Sequence, residues 1–414
     1  MSKWTKTTLG KIADIITGPF GSQLHQSDYV KRGIPIVMPQ DIGNRNINYS
    51  SINYVSEEDA TRLKRYSTVA NDILYARRGD VEKHAFVRAK DAGVLCGTGC
   101  LRVRINSNEV EPAFLSFYLN REETRKWLVT HAVGTNMPNL NTDILSDVPI
   151  AYPTLKEQRK IVKVLNCLEE RIVLNEKIND NLEQQAKLIY DYWFTQFDFP
   201  DENGKPYCSS GGKMVWNAQL KRNIPENWNV VPLLKLVSWE SNSQPPKSEF
   251  VYEPKEGYVR FIQNRDYDSD THITYIPRTK NLSIVDRFDI LMDKYGDAGA
   301  VRYGIEGAFN VALGKICVHN PNYREYIRSF LGSDGIYKFL HNSCMASTRA
   351  SLSEANLAIL NVVVPDEKII LDYENFLHKI RVSILKNKDE TVELINLRDW
   401  LLPMLMNGQA TIAD

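Results

Sequence analysis

Apolar residues recur at spacings that alternate between four and three over two long stretches of the chain. The first runs through Ile161, Leu165, Leu168, Ile172, Asn175, Asn179, Leu182, Ala186, Ile189 and Trp193. The second runs through Ile370, Tyr373, Leu377, Ile380, Ile384, Asn387, Thr391, Leu394, Arg398 and Leu401. That alternation is the seam of an α-helix packed along a partner helix. Both seams turn polar at the same depth, since Asn387 follows Asn175 by 212 residues. A polar residue in a seam costs stability and fixes register, which suits two helices that pair with one another. The pattern predicts helices over 155–197 and 366–407, each a rod of about 60 Å. They are expected to run antiparallel, because each leaves its own globular half.

The globular halves repeat. Residues 72–80 read Asp-Ile-Leu-Tyr-Ala-Arg-Arg-Gly-Asp and residues 289–297 read Asp-Ile-Leu-Met-Asp-Lys-Tyr-Gly-Asp, an offset of 217. Residues 140–153 lie over 352–365 at an offset of 212, in the same order. Each half opens with a tryptophan before an apolar patch (4–16 and 228–237) and continues into a strand-like run (34–38 and 258–262). Two copies of this length indicate a duplicated domain plus connector rather than a solenoid of small units. Within the first copy, apolar spacing predicts a helix over 112–129 and a short one over 59–65. Each half reads as an α+β domain of short, curved strands.

Between the first helix and the second half, Pro200, Asn203-Gly204, Pro206 and Gly211-Gly212 mark loop and turn. Trp216 and Trp228 are expected to anchor this joint against neighbouring surfaces.

The segment Tyr192-Trp-Phe-Thr-Gln-Phe-Asp-Phe-Pro-Asp-Glu-Asn-Gly-Lys-Pro-Tyr207, followed by Ser209-Ser-Gly-Gly-Lys-Met-Val-Trp216 and Ile224-Pro-Glu-Asn-Trp228, resembles the central region of type I restriction-modification specificity subunits. Pro153-x3-Glu157-Gln158 and Leu401-Leu-Pro-Met-Leu-Met-Asn-Gly408 are similar to that family as well, and the likeness extends over the two-fold layout of the whole chain. The second connector departs from the pattern, since Pro365-Asp-Glu-Lys-Ile lacks the Glu-Gln pair. The resemblance implies an α+β fold: two tandem target recognition domains with curved β-sheets, separated by two long helices forming an antiparallel coiled coil. Its domains would be 1–154 (N-terminal target recognition domain), 155–197 (first spacer helix), 198–227 (connecting loop), 228–365 (C-terminal target recognition domain), 366–407 (second spacer helix) and 408–414 (tail). It implies a non-catalytic subunit that binds double-stranded DNA at a bipartite target with a fixed gap. Its partners would be two methyltransferase subunits and two endonuclease/translocase subunits, and S-adenosylmethionine, ATP and Mg would bind to those partners rather than to this chain.

Base-reading candidates are polar, glycine-punctuated loops that recur in both halves. In the first they are Ser22 in Gly18-Pro-Phe-Gly-Ser22, then Gln40, Arg77, Arg78, Lys83 with His84, and Thr135, Asn136 and Asn139. In the second they are Gln244, Gln263, Asn264, Arg265, Lys294, Tyr295, Arg302, Thr348 and Arg349. Arginine can grip guanine with two hydrogen bonds and Gln or Asn can do so to adenine, while Ser, Thr and backbone amides mostly hold phosphate. Arg77 and Arg78 lead the set. Any one of these residues reads equally well as a solvated turn residue.

Charge narrows the picture little. Lys and Arg balance Asp and Glu at 51 each, so a polyanion would be held by local clusters such as 62–65 and 121–126 rather than by a global field. Those clusters read equally as solvated helix faces. Six scattered cysteines offer only Cys96-x3-Cys100 at loosely metal-like spacing, so buried thiols are favoured over zinc. Asp80-Val-Glu82-x-His84 has metal-ligand spacing, yet its counterpart Asp297-Ala-Gly-Ala300 lacks the Glu and His. The chain carries no Asn/Asp-Pro-Pro-aromatic tetrapeptide and no Gly-x4-Gly-Lys-Ser/Thr loop, so methyl transfer and ATP hydrolysis are assigned to partners. No apolar run reaches the roughly 20 residues of a membrane span, and the polar start is not a signal peptide, which gives a cytoplasmic expectation. Two other readings stay open: a two-headed DNA-recognition subunit of another methylation-linked phage-defence system, and a protein scaffold that binds no nucleic acid.

Overall fold

A computed structural model describes residues 4–134, 138–269, 272–345 and 351–412. The chain divides into two compact units, residues 1–173 with 391–414 and residues 174–390. Each unit therefore contains one sheet domain and a part of each long helix.

In the first unit the order is β1 (Thr5–Thr8), β2 (Ala13–Thr17), β3 (Tyr29–Val30), β4 (Ile34–Val37), β5 (Asn53–Val55), α1 (Glu57–Arg62), β6 (Ile73–Ala76), β7 (His84–Phe86), β8 (Leu95–Cys96) and β9 (Cys100–Ile105). Then follow α2 (Pro112–Leu119), α3 (Glu122–His131), α4 (Thr142–Ser146), β10 (Pro149–Tyr152) and the long α5 (Leu155–Tyr190), whose second half lies in the other unit. One sheet has the order β2-β9-β6-β7 and the other β3-β5-β4-β8, with β4 parallel to β8. Strand β6 is buried on both faces, so its alternation separates two cores. Ile73 and Tyr75 join the core shared with α2 and α3, whereas Leu74 and Ala76 face the second sheet. The helix expected over 112–129 is two helices. It breaks after Leu119, where the chain turns at Asn120 and Arg121 restarts it with an extended backbone.

The second unit repeats this plan. After the hairpin β11 (Met214–Asn217) and β12 (Arg222–Pro225) come β13 (Asn229–Pro232), β14 (Val237–Glu240), β15 (Tyr258–Ile262), β16 (Tyr275–Pro277), β17 (Ile284–Val285), β18 (Ile290–Asp293), β19 (Val301–Arg302), β20 (Gly307–Phe309) and β21 (Leu313–Val318). Helices α6 (Arg324–Leu331), α7 (Asp334–Met345) and α8 (Glu354–Ala358), strand β22 (Asn361–Val364) and the long α9 (Glu367–Met406) complete it. Its sheets run β14-β21-β18-β19 and β16-β15-β20-β17, and β15 is parallel to β20. Ile290 and Met292 of β18 face one core and Leu291 another, as in β6. Each domain is closed by pairing its first and last strands, β1 with β10 and β13 with β22. The bond that follows is the same in both: Leu9 N–H to the Val148 carbonyl and Leu233 N–H to the Leu360 carbonyl, each 2.9 Å.

The long helices pair antiparallel within each unit. In the first, Ile161 and Leu165 at the start of α5 share a core with Leu402, Leu405 and Met406 at the end of α9. In the second, partners descend along α9 as they climb α5. Asn175 Nδ2 donates to Glu390 at 3.0 Å, Asn387 Nδ2 donates to the Asn179 side-chain oxygen at 2.9 Å, and Arg381 pairs with Glu183. Leu165, Ile172, Asn175, Leu377, Ile380 and Ile384 are buried, while Leu168, Asn179, Leu182, Asn387 and Leu394 are half-buried. Gln158 clamps the start of α5: its amide accepts the Glu111 N–H and donates to the carbonyls of Glu109 and Pro153. At the corresponding place in α9 the buried Ile370 substitutes an apolar contact.

The joint differs from expectation in one residue. Trp228 is buried, stacked on Phe199 at 4.7 Å and edge-on to Phe197. Trp216, on a two-stranded hairpin with no third strand paired to it, is 66% exposed rather than packed into the joint.

Candidate nucleic-acid interface

Strand ends bring the first domain's candidate loops together. Antiparallel pairing places the end of β2, the start of β9, the end of β6 and the start of β7 at one edge of their sheet. The turn from β8 to β9, Gly97-Thr98-Gly99, lies at that edge. A Cβ on Gly18 would meet the Gly97 carbonyl oxygen at 2.1 Å, and one on Gly97 the Val37 oxygen at 2.5 Å, so both positions exclude larger residues. Arg77 N–H donates to the Gly99 carbonyl at 2.7 Å, and the Arg77 carbonyl accepts the Leu140 N–H at 2.8 Å. Gly79, at φ +82°, turns the chain beyond Arg78 into open space.

Arg78 is exposed and Arg77 half-buried. Gln40 is exposed on a short turn, beneath which buried Asp41 accepts the Met38 N–H at 2.8 Å. Asn139 points inward. With its amide nitrogen facing them, it donates to the carbonyls of Arg77 at 3.1 Å and Leu140 at 3.2 Å, which makes it a support of the Arg77 loop. Lys83 pairs with Asp80 at 2.5 Å. Thr135 and Asn136 lie outside the described residues, as does the side chain of Ser22.

The second domain assembles the same edge from different residues. Lys294 N–H donates to the Ala312 carbonyl at 2.8 Å, and the Lys294 carbonyl accepts the Leu352 N–H at 3.0 Å. Gly296, at φ +73°, again turns into open space, and Tyr295 is exposed where the first domain has Arg78. The Asp41 turn recurs as Asp266 accepting the Gln263 N–H at 3.1 Å, with Asn264 half-buried and Arg265 exposed. Gln263 donates to Thr274 at 3.1 Å, and Gln244 is exposed. Arg302 is engaged internally: it pairs with Asp293 at 2.8 Å, lies 3.6 Å from Asp297, and stacks over Tyr267. Burial raises the Asp293 carboxyl against the pull of Arg302. Thr348 and Arg349 lie outside the described residues.

His84 does not face this edge. It is buried, with Nε2 2.9 Å from the Ser116 hydroxyl, and burial followed by the nearby Arg45 charge lowers its pKa to about 3. His84 is enclosed with Nε2 engaged by Ser116 while Asp80 is exposed, and no metal-ligand cluster occurs among the described residues. Cys96 and Cys100 are buried free thiols. The basic clusters are largely occupied: Arg62 pairs with Asp59, Lys126 with Glu122, and Arg121 donates to Asn407 while stacking on Tyr118.

Arg45 was not singled out from sequence. It is 4% exposed at φ +58°, its backbone N–H donates to the His84 carbonyl at 2.8 Å, and its guanidinium lies 3.3 Å from the Phe117 ring centre. That group donates to Ser116 at 2.9 Å and pairs with Glu169 of α5, so it fastens the sheet domain to the helix. Burial lowers its pKa to about 10 against the opposing pull of Glu169, leaving it cationic near neutrality. A lone arginine between Asn44 and Asn46 carries no pattern that would reveal this role.

The same sheet domain is built twice, each copy ending in polar loops with hydrogen-bonded backbones and joined to a long helix. Residues 1–184 match the family described as type I restriction modification DNA specificity domain. The chain is 22% identical to the type I restriction enzyme MjaIX specificity subunit of Methanocaldococcus jannaschii, covering 98% of this chain and 93% of the relative. It is 22% identical to the type I restriction enzyme HindI specificity subunit of Haemophilus influenzae, covering 99% and 100%. In fold it is similar to the crystal structure of the S subunit of a type I restriction-modification system from M. genitalium, with a TM-score of 0.62, 16% identity and coverage of 98% and 96%. Residues 1–184 thus carry a type I restriction modification DNA specificity domain, and over nearly its whole length the chain is similar to specificity subunits of type I restriction enzymes. No helix among the described residues is long and apolar enough to cross a membrane.

Proposed function

We propose that this subunit reads a bipartite DNA target, one half-site per recognition domain, and that the paired helices set the number of unspecified base pairs between them. The observation that carries this reading is the recurrence of one backbone arrangement, Gly99–Arg77–Leu140 and Ala312–Lys294–Leu352, with different side chains at its tips. A conserved scaffold with exchanged tips is what two readers of different sequences require, because base edges are distinguished by side chains while the scaffold fixes their approach. One turn of B-DNA is about 34 Å, so two readers need a stiff spacer to hold a constant separation. The hydrogen-bonded helix seam supports that role.

The subunit directs two methyltransferase and two endonuclease/translocase subunits to the site, and S-adenosylmethionine, ATP and Mg bind to those partners. Exposed apolar side chains on the helices support docking: Leu174, Ile178 and Leu188 on α5, and Val392, Leu397 and Trp400 on α9. Mapping methylated adenines in DNA modified by the reconstituted complex tests the reading. An asymmetric motif with two specified blocks and a constant gap is expected. A single contiguous motif would refute it.

A further inference from the structure

The loop after β2 presents an apolar ring at the edge where polar base-reading side chains gather. Phe20 is 62% exposed, although its neighbours on both sides are fixed. Upstream, Gly18 N–H donates to the Cys100 carbonyl at 2.9 Å, Gly18 is seated against Gly97, and Pro19 is buried. Downstream, Gly21 takes φ +61° and Gln23 N–H donates to the Phe20 carbonyl at 3.3 Å. The Gln23 side-chain oxygen accepts the Tyr66 hydroxyl at 2.7 Å, and the Gln23 carbonyl accepts Arg62 at 2.6 Å. Leu24 then enters the core. A loop held at both ends cannot fold its ring inward, so the exposure is built into the domain.

Its position narrows what the ring meets. Gly18 touches Gly97, and the same tight turn ends at Gly99, whose carbonyl receives Arg77. Phe20 therefore follows β2 at the same sheet edge as the Arg78 loop that follows β6, with β9 between the two strands. Arg78 can hydrogen-bond a base edge, but a phenyl ring cannot. DNA offers such a ring two apolar surfaces, the thymine methyl in the major groove and the face of a base uncovered when a step is opened, and a planar ring covers far more of the second. Resting on the reading of this domain as a DNA reader, we infer that Phe20 is a wedge. Its ring inserts at one base step of the first domain's half-site and unstacks it, so that the deformability of that step contributes to target choice. The equivalent loop of the second domain, Ser241-Asn-Ser-Gln244, has no aromatic residue, and Asn242 there is turned inward to the Ser283 carbonyl at 3.0 Å. The opening that depends on Phe20 is accordingly assigned to the first domain's half-site; the second domain's edge instead exposes Tyr295 on the Lys294 loop.

The test uses the full complex with its methyltransferase partner and duplexes carrying the mapped target, with 2-aminopurine placed in turn at each specified position. Native complex, Phe20→Ala and Phe20→Trp are compared by fluorescence and by binding affinity. The wedge predicts a fluorescence rise at one step of one half-site, absent in Phe20→Ala and kept in Phe20→Trp. Affinity in Phe20→Ala should fall roughly tenfold to a hundredfold, the range of one base–aromatic contact. Phe20→Ala binding the target within about twofold of the native complex, with unchanged fluorescence, would overturn the wedge and leave the DNA reader standing. Native complex that fails to prefer target over scrambled DNA would overturn the reader itself, and the wedge with it.

Discussion

The Asn387 amide donates to the side-chain oxygen of Asn179 across the helix pair at 2.9 Å. With Asn175 bonded to Glu390 at 3.0 Å, it forms a polar layer in the seam. Any slip of one helix along the other breaks both bonds, so the layer specifies register. Replacing either Asn179 or Asn387 by Ala removes this bond. A double-mutant cycle followed by urea unfolding should give a coupling of about 0.5–1.5 kcal/mol between the two. Additive costs would contradict a direct bond.

Arg45 and Glu169 join the first recognition domain to its helix. Breaking a buried pair strands its partner charge, and Arg88, 3.8 Å from Glu169, relieves only part of that. Arg45→Ala is expected to destabilise the first unit by about 3 kcal/mol. The double variant Arg45→Met with Glu169→Leu should recover most of the loss. Equal destabilisation by single and double variants, measured by denaturant midpoints, would argue that the ring contact with Phe117 rather than the ion pair matters.

His84 gives the first unit an acid-sensitive element. Its pKa is lowered to about 3 in the folded state from an unfolded value of about 6.5. Between those limits the unfolded chain binds the extra proton, so the stabilisation is complete above about pH 6.5 and is lost as pH falls toward 3, by about 1.4 kcal/mol per pH unit. His84→Gln should flatten the stability profile over that range. An unchanged slope would place the acid sensitivity elsewhere.

Arg78 extends from a loop whose backbone is held by Gly99 and Leu140 through Arg77. Arg78→Ala should leave folding intact, relax the methylation motif at one position and cost about 1–3 kcal/mol in target affinity. A loss that is uniform across DNA sequences, with a shallower salt dependence, would instead mark a phosphate contact.

The helices and the duplication were legible because a seam repeats over many turns and strand ends keep their glycines. Sheet pairing was not. The offset between halves drifts from 225 at Asp41 and Asp266 to 217 at Arg77 and Lys294 and 212 at Leu140 and Leu352, so only fragments align. Loop side chains were the least legible. Asn139, Arg302 and His84 carry the same polar signature as exposed Gln40 and Arg78, yet the first three are spent on internal partners, the Arg77 carbonyl, Asp293 and Ser116, that no sequence pattern marks. Arg45 shows the converse, a residue whose role depends on Glu169, 124 positions later.

The central claim is that the paired helices measure the distance between two half-sites. Four residues inserted after Asn179, matched by four before Asn387 to preserve pairing, lengthen the pair by about 6 Å while nearly keeping helical phase. Mapping methylated adenines in DNA modified by the lengthened complex should show both specified blocks unchanged and the gap between them wider by one or two base pairs, roughly the same 6 Å along the duplex. An unchanged gap, with full methylation of the original target, would contradict the account.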